Sequence, residues 1–143
     1  MMMDYSPNMW AVVVAAIVQF IVGAIWYMPL FGKQWGEIHD FDKLSKRDQQ
    51  EAQKKMGPWL AVQFTAGLLI AYVLAHFMKV APTAPWWHLV IWLWMGFVVT
   101  TQAGAVIFGG TKPEWVWKKI AIMAGGSLAC LLAGGWVLYA MGA

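Results

Sequence analysis

Side chains able to act as metal ligands, acids or nucleophiles are sparse in this chain and fall in separate places. His76 and His88 flank a short connection, and Glu37, His39, Asp40 and Asp42 crowd a single loop. Two histidines with no neighbouring Cys, Asp or Glu make a poor zinc site, and the loop group is expected to be solvated, so neither is assigned a metal. Ser127 and Cys130 lie in an apolar run with no His or acidic residue within reach along the sequence, which leaves them without the base that nucleophilic catalysis needs. The 104–112 run superficially resembles a phosphate loop, but Thr111 precedes Lys112 where a phosphate loop has the hydroxyl after the lysine. The chain therefore reads as non-enzymatic, with no catalytic residue, metal or cofactor assigned.

What remains is a set of neutral polar groups embedded in apolar sequence: Gln19, Gln63, Thr65, Thr100, Thr101, Gln102 and Ser127. Charged groups inside a membrane are the usual marks of proton and ion paths, and these apolar runs hold none beyond Lys118 and Lys119 at the very start of the last. Two roles stay open. Gathered near one end of a bundle, the polar groups would line an uncharged pocket for a small solute. Distributed between helices, they would act as hydrogen-bonding glue worth about 1 kcal/mol or less per contact.

The elements that must carry these groups follow from composition. Of 143 residues, 61% are hydrophobic and 12% charged, roughly half the charge of a water-soluble domain. A lone Cys130 excludes a disulfide scaffold, and 15% aromatic residues exclude a disordered chain. A hydrocarbon core of about 30 Å takes about 20 apolar helical residues. Four runs qualify, at approximately 9–28, 58–77, 86–108 and 117–141, and they predict an all-α, four-transmembrane-helix bundle forming one membrane domain. Aromatic residues mark the ends of these runs, including Trp10, Trp26 with Tyr27, Trp59, Trp86 with Trp87, and Trp136 with Tyr139.

Lys and Arg set the orientation. The loop at 29–57 carries Lys33, Lys43, Lys46, Arg47, Lys54 and Lys55, the third connection carries Lys112, Lys118 and Lys119, and the opposite side has Lys79 alone. Basic loops stay in the cytoplasm, so both termini are expected outside it, in a multi-pass protein of the cytoplasmic (inner) membrane. No Lys or Arg precedes the first run and Asp4 gives that end a negative bias, which predicts an uncleaved span rather than a secretory signal. The net charge of +3 is then a topology signal. In the long loop the basic residues alternate with Glu37, Asp40, Asp42, Asp48 and Glu51, which argues against nucleic acid as a partner. The 44–56 stretch of that loop predicts a polar helix with Ser45 as its cap, Asp48 completing a capping box and Gly57 ending it.

Small residues recur at four-residue spacing on every span, as expected where helices must approach closely without a hydrophobic drive. The stripes run through Ala11, Ala15, Gln19 and Gly23; through Gly67, Ala71 and Ala75; through Gly96, Thr100 and Gly104; and, on the last span, along two adjacent faces through Gly125, Ala129, Ala133 and through Gly126, Cys130, Gly134. Trp94 lies about 200° around the helix from Gly96, so it is expected to face away from the bundle, toward lipid or a second copy.

The Trp26, Tyr27, Pro29, Phe31, Gly32 and Trp35 block, within 23–35, resembles the signature of a bacterial membrane family known as domain of unknown function 1761. Further blocks at 71–74, 96–101 and 108–113 are similar to that family's later segments, so the resemblance covers nearly the whole chain. At 108–113 the family usually shows an acidic and a basic residue where this chain has Gly109 and Thr111. The resemblance implies a four-span membrane protein and no assigned activity. Read physically, the block is an interfacial aromatic anchor whose proline stops the helix. Its alternative is a re-entrant turn that places Phe31 and Trp35 against Gln63 or Gln102.

Together these features point to a small polytopic membrane protein, surrounded by the lipid bilayer, that acts through helix packing as a homo-oligomer or as an accessory subunit. The alternative is a small-solute transporter or channel with a polar pocket on the cytoplasmic side. Orientation is directly testable: a reporter fused after Ala143 that works only outside the cytoplasm is expected to be active, and activity solely from a cytoplasmic reporter would reverse the topology.

Overall fold

The structure is a computed structural model that describes residues 4–143. Among these residues every regular element is helical, and four helices are long and apolar enough to cross a membrane: Met9–Leu30, Gly57–Val80, Trp86–Phe108 and Pro113–Ala140. These are spans one to four.

Span one consists of α1 (Met9–Ile25) followed by a π-helical turn at Trp26–Leu30. Asn8 caps its start by accepting the Trp10 N–H at 3.1 Å. Pro29 was expected to stop this helix, and instead it sits inside the π turn. A proline ring clashes with the carbonyl four residues back and offers no N–H, and a turn widened by one residue relieves both problems. The Phe31 N–H closes that wide turn on the Trp26 carbonyl at 2.9 Å. The chain then re-enters helix as α2 (Gly32–Ile38), where only a turn was expected.

The polar helix α3 (Lys46–Lys55) forms as its sequence predicts, with Ser45 Oγ accepting the Asp48 N–H at 3.2 Å. Gly57 does not end it in open chain. It opens α4 (Gly57–Val80) directly, with Pro58 in the first turn, where a missing N–H costs no ladder bond. Span three is split into α5 (Trp86–Leu93), a second π segment at Trp94–Val99, and α6 (Thr100–Phe108). A short 3₁₀ turn at Pro113–Trp115 leads into α7 (Val116–Ala140).

Helix α7 is the hub. α1 packs along both α7 and α4, span three packs chiefly on α7, and α4 meets α5 only slightly. The tightest apolar core lies at the end remote from the basic loops, where Ala11, Ala15, Ala71 and Ala75 let α1 and α4 approach closely and Leu138 of α7 fills the space beside Val90. At the opposite end the two basic loops meet. Asp40, in the left-handed conformation at φ 58°, pairs with Lys43 at 3.2 Å and reaches Lys112 of the other loop at 3.4 Å. Hydrogen bonds from Lys43 and then Lys112 hold its carboxyl below the ordinary aspartate range. All three groups are substantially solvent-exposed, so the tie orients the loops more than it stabilises them.

Candidate functional site

The small-residue faces of α7 receive side chains from the first and third spans. At Gly125 an added Cβ would lie 2.7 Å from Trp26 Cζ2, and at Gly126 it would lie 2.9 Å from Trp26 Cδ1 and Nε1 and 3.3 Å from the Tyr27 hydroxyl. The Trp26 indole lies flat in the notch these two glycines leave, and its Nε1–H donates to the Ile122 carbonyl at 2.9 Å. Two and a half turns further along, Gly134 makes room for Gln19, with a Cβ there falling 2.9 Å from both Cγ and Cδ of the amide. Gly135 does the same for Trp86 and Val90 of span three, each 3.0 Å from an added Cβ. Two Gly-Gly pairs thus seat two tryptophans and a glutamine.

Trp94 is placed opposite to the expectation that it faces outward. Its Nε1–H donates to the Ala124 carbonyl of α7 at 2.8 Å, while Gly96 and Gly104 have nothing within 4 Å of an added Cβ. The two sides of span three are related as the helical wheel requires, but their assignment is inverted. An indole N–H turned to hydrocarbon has no acceptor, whereas a glycine loses nothing there. The Ile122 and Ala124 carbonyls lie inside a helix ladder, and each offers its second lone pair to an indole.

The neutral polar groups do not gather around one space. Gln63, Thr65, Thr100 and Thr101 are exposed, and the three threonine hydroxyls donate back to the carbonyls of Ala61, Gly96 and Phe97 on their own helices. Gln102 donates through Nε2 to Ser127 Oγ at 2.5 Å, and Ser127 donates in turn to the Met123 carbonyl at 2.9 Å. Gln19 is 6% exposed, and its backbone carbonyl accepts Cys130 Sγ at 3.4 Å. Buried without a hydrogen-bond partner among the described residues are Gln19 Nε2 and Gln102 Oε1 within the spans and Gln34 Oε1 and Thr111 Oγ1 outside them.

The 26–35 block does turn back, but onto the start of α7 rather than against Gln63 or Gln102. Phe31 packs on Trp26 with ring centroids 4.6 Å apart, Trp35 on Tyr27 at 4.9 Å, and Lys119 lies 5.7 Å above the Trp35 ring. Trp26 is a half-buried strut packed on α7, whereas Trp10, Trp59 and Trp117 stay well exposed. His76 Nδ1 lies 3.3 Å from the Tyr5 carbonyl, and His88 sits between Trp87 and Trp92. Among the described residues no three His, Cys, Asp or Glu side chains gather where they could hold a metal ion. The struts Trp26 and Trp86 were hidden in the sequence by their positions at helix ends, where aromatic residues ordinarily mark the headgroup zone. The doubled glycines of α7 were the available signal.

Fold and packing define a helical bundle with four membrane-length helices, organised around a glycine-notched last helix. The chain belongs to the family described as protein of unknown function DUF1761, whose model matches residues 10–139. No curated protein and no solved structure matches it.

Two substitutions test the notches. Gly126→Ala pushes a methyl group into the Trp26 ring and is expected to lower stability by about 1–2 kcal/mol, read as a drop in thermal unfolding temperature in detergent; no change would show that the indole is not held there. Gln19→Met keeps the side-chain volume but removes the unpartnered amide, and a gain of about 1 kcal/mol is expected. A loss instead would mean that Nε2 has a partner in the working protein.

Proposed function

We propose that this is a multi-pass protein of the cytoplasmic membrane, with its basic loops inside and both termini outside. It works without catalysis, through helix packing, as a homo-oligomer or an accessory subunit of a membrane complex. One observation carries the reading. Glycines on the fourth span are filled by neighbouring side chains, whereas Gly96 and Gly104 of the third span, four residues either side of the exposed Thr100, have nothing within 4 Å of an added Cβ. Such a small-residue ridge lets a second helix approach backbone to backbone, which is how helices associate where lipid tails are as apolar as the side chains.

The transporter alternative has less support. Gln63, Thr100 and Thr101 are exposed, and the other two glutamines, Gln19 buried and Gln102 half-buried, occupy separate contacts on α7, Gln19 beside Gly134 and Gln102 on Ser127. Trp94 is bound to Ala124 within the bundle, so the oligomer contact falls on the opposite face of the same helix.

Native mass spectrometry of the full chain released from lipid nanodiscs tests this. A homo-oligomer is expected for the native sequence. Gly96→Leu combined with Gly104→Leu should weaken it by about tenfold or more while leaving the unfolding temperature unchanged, because both positions are open. A native chain that is monomeric throughout would overturn self-association.

A further inference from the structure

At the end of the bundle remote from the basic loops, a cleft of about 760 Å³ opens between the 82–85 turn and the ends of spans two, three and four. That volume is in the range of small-ligand sites. Its walls are built in advance of any ligand. Trp86 is wedged against Gly135 and stacks on Tyr139 with ring centroids 6.2 Å apart and planes 27° from parallel, and Trp87 stands beside it. Prolines at 82 and 85 stiffen the turn that closes one side.

The charges in this cleft are of both signs. Lys79, the one basic residue on this side of the protein, lines it together with Asp4. They are near enough for the ammonium to favour the ionised carboxylate, after the larger effect of the Ser6 hydrogen bonds. They are not paired, since among the described residues no Asp4–Lys79 contact falls within ion-pair distance. Asp4 instead accepts the Ser6 N–H at 2.9 Å, which fixes the carboxylate in place. A ligand bearing only negative charge meets Asp4, and one bearing only positive charge meets Lys79. A ligand bearing both satisfies both, and the flanking ring faces add attraction for its cation.

We infer that this cleft binds a phosphate–ammonium zwitterion, with the phosphate on Lys79 and the ammonium between Asp4 and the Trp86–Tyr139 rings. The source is the headgroup of an amine-bearing phospholipid. The cleft lies at the end of membrane-length helices, with exposed Trp87, Trp136 and Tyr139 nearby at the level where headgroups meet hydrocarbon. The membrane-spanning reading enters only through this choice of source; the charge and ring arrangement does not depend on it.

The test uses the full chain in nanodiscs holding equal amounts of phosphatidylethanolamine and phosphatidylglycerol with the same acyl chains, released into a native mass spectrometer. Retained phosphatidylethanolamine is expected to exceed phosphatidylglycerol by about tenfold; Asp4→Asn should cut that preference about fivefold, and Lys79→Gln should cut retention of phosphatidylethanolamine about fivefold by removing the partner of its phosphate. Lys33→Gln, at the other end of the bundle, should leave it unchanged. Equal retention of the two lipids, a preference indifferent to Asp4→Asn, or retention indifferent to Lys79→Gln overturns the site. Soluble phosphoethanolamine binding as tightly as the lipid would keep the zwitterion site but overturn the lipid source.

Discussion

Everything in this bundle depends on how closely other helices can approach α7. In the membrane proposed for this chain, burying one more leucine between helices gains little, because hydrocarbon outside is as good a solvent as hydrocarbon inside. What remains is dispersion at short range and the few hydrogen bonds that have no better partner. The paired glycines at 125–126 and 134–135 supply the first by removing the Cβ atoms that would hold neighbours away. The indoles of Trp26 and Trp94 supply the second, each bonded to a carbonyl two residues from the other on the same helix.

The π turns follow from the same requirement. Each interrupts a span close to one of the two bonded tryptophans, Trp26 opening the first and Trp94 the second. A π turn shifts the helical phase by a fraction of a turn, so the residues beyond it face a different way from the continuation of an unbroken helix. In span one the widened turn also accommodates Pro29, and the chain emerging from it folds back so that Phe31 and Trp35 cover the rings of Trp26 and Tyr27.

The spans, the polar helix and its Ser45 cap, and the small stripes of α1, α4 and α7 were legible in the sequence, because length, hydropathy and capping chemistry are local. Three features were not. Pro29 reads as a helix stop unless the following residues can form a wide turn, which depends on the tertiary contact of Trp26. Trp94 reads as outward because its helical opposite is a glycine stripe, and only the acceptor on α7 decides which side turns in. The threonines read either as pocket-lining groups or as glue between helices because sequence shows a hydroxyl but not its nearest acceptor, which for Thr65, Thr100 and Thr101 is a carbonyl on the same helix. A uniform period describes a helix in isolation, and each failure occurs where a neighbouring helix intervenes.

The slight contact between α4 and α5 has a consequence for biogenesis. A chain made from its N-terminus can join spans one and two as soon as both have left the ribosome, since α1 and α4 share an extensive alanine-rich face. The third span then waits, because nearly all of its contacts are to a helix not yet synthesised. During that interval the Trp94 indole lacks the Ala124 carbonyl to which it bonds in the finished bundle. Once α7 is made, span three gains the helix on which it chiefly packs.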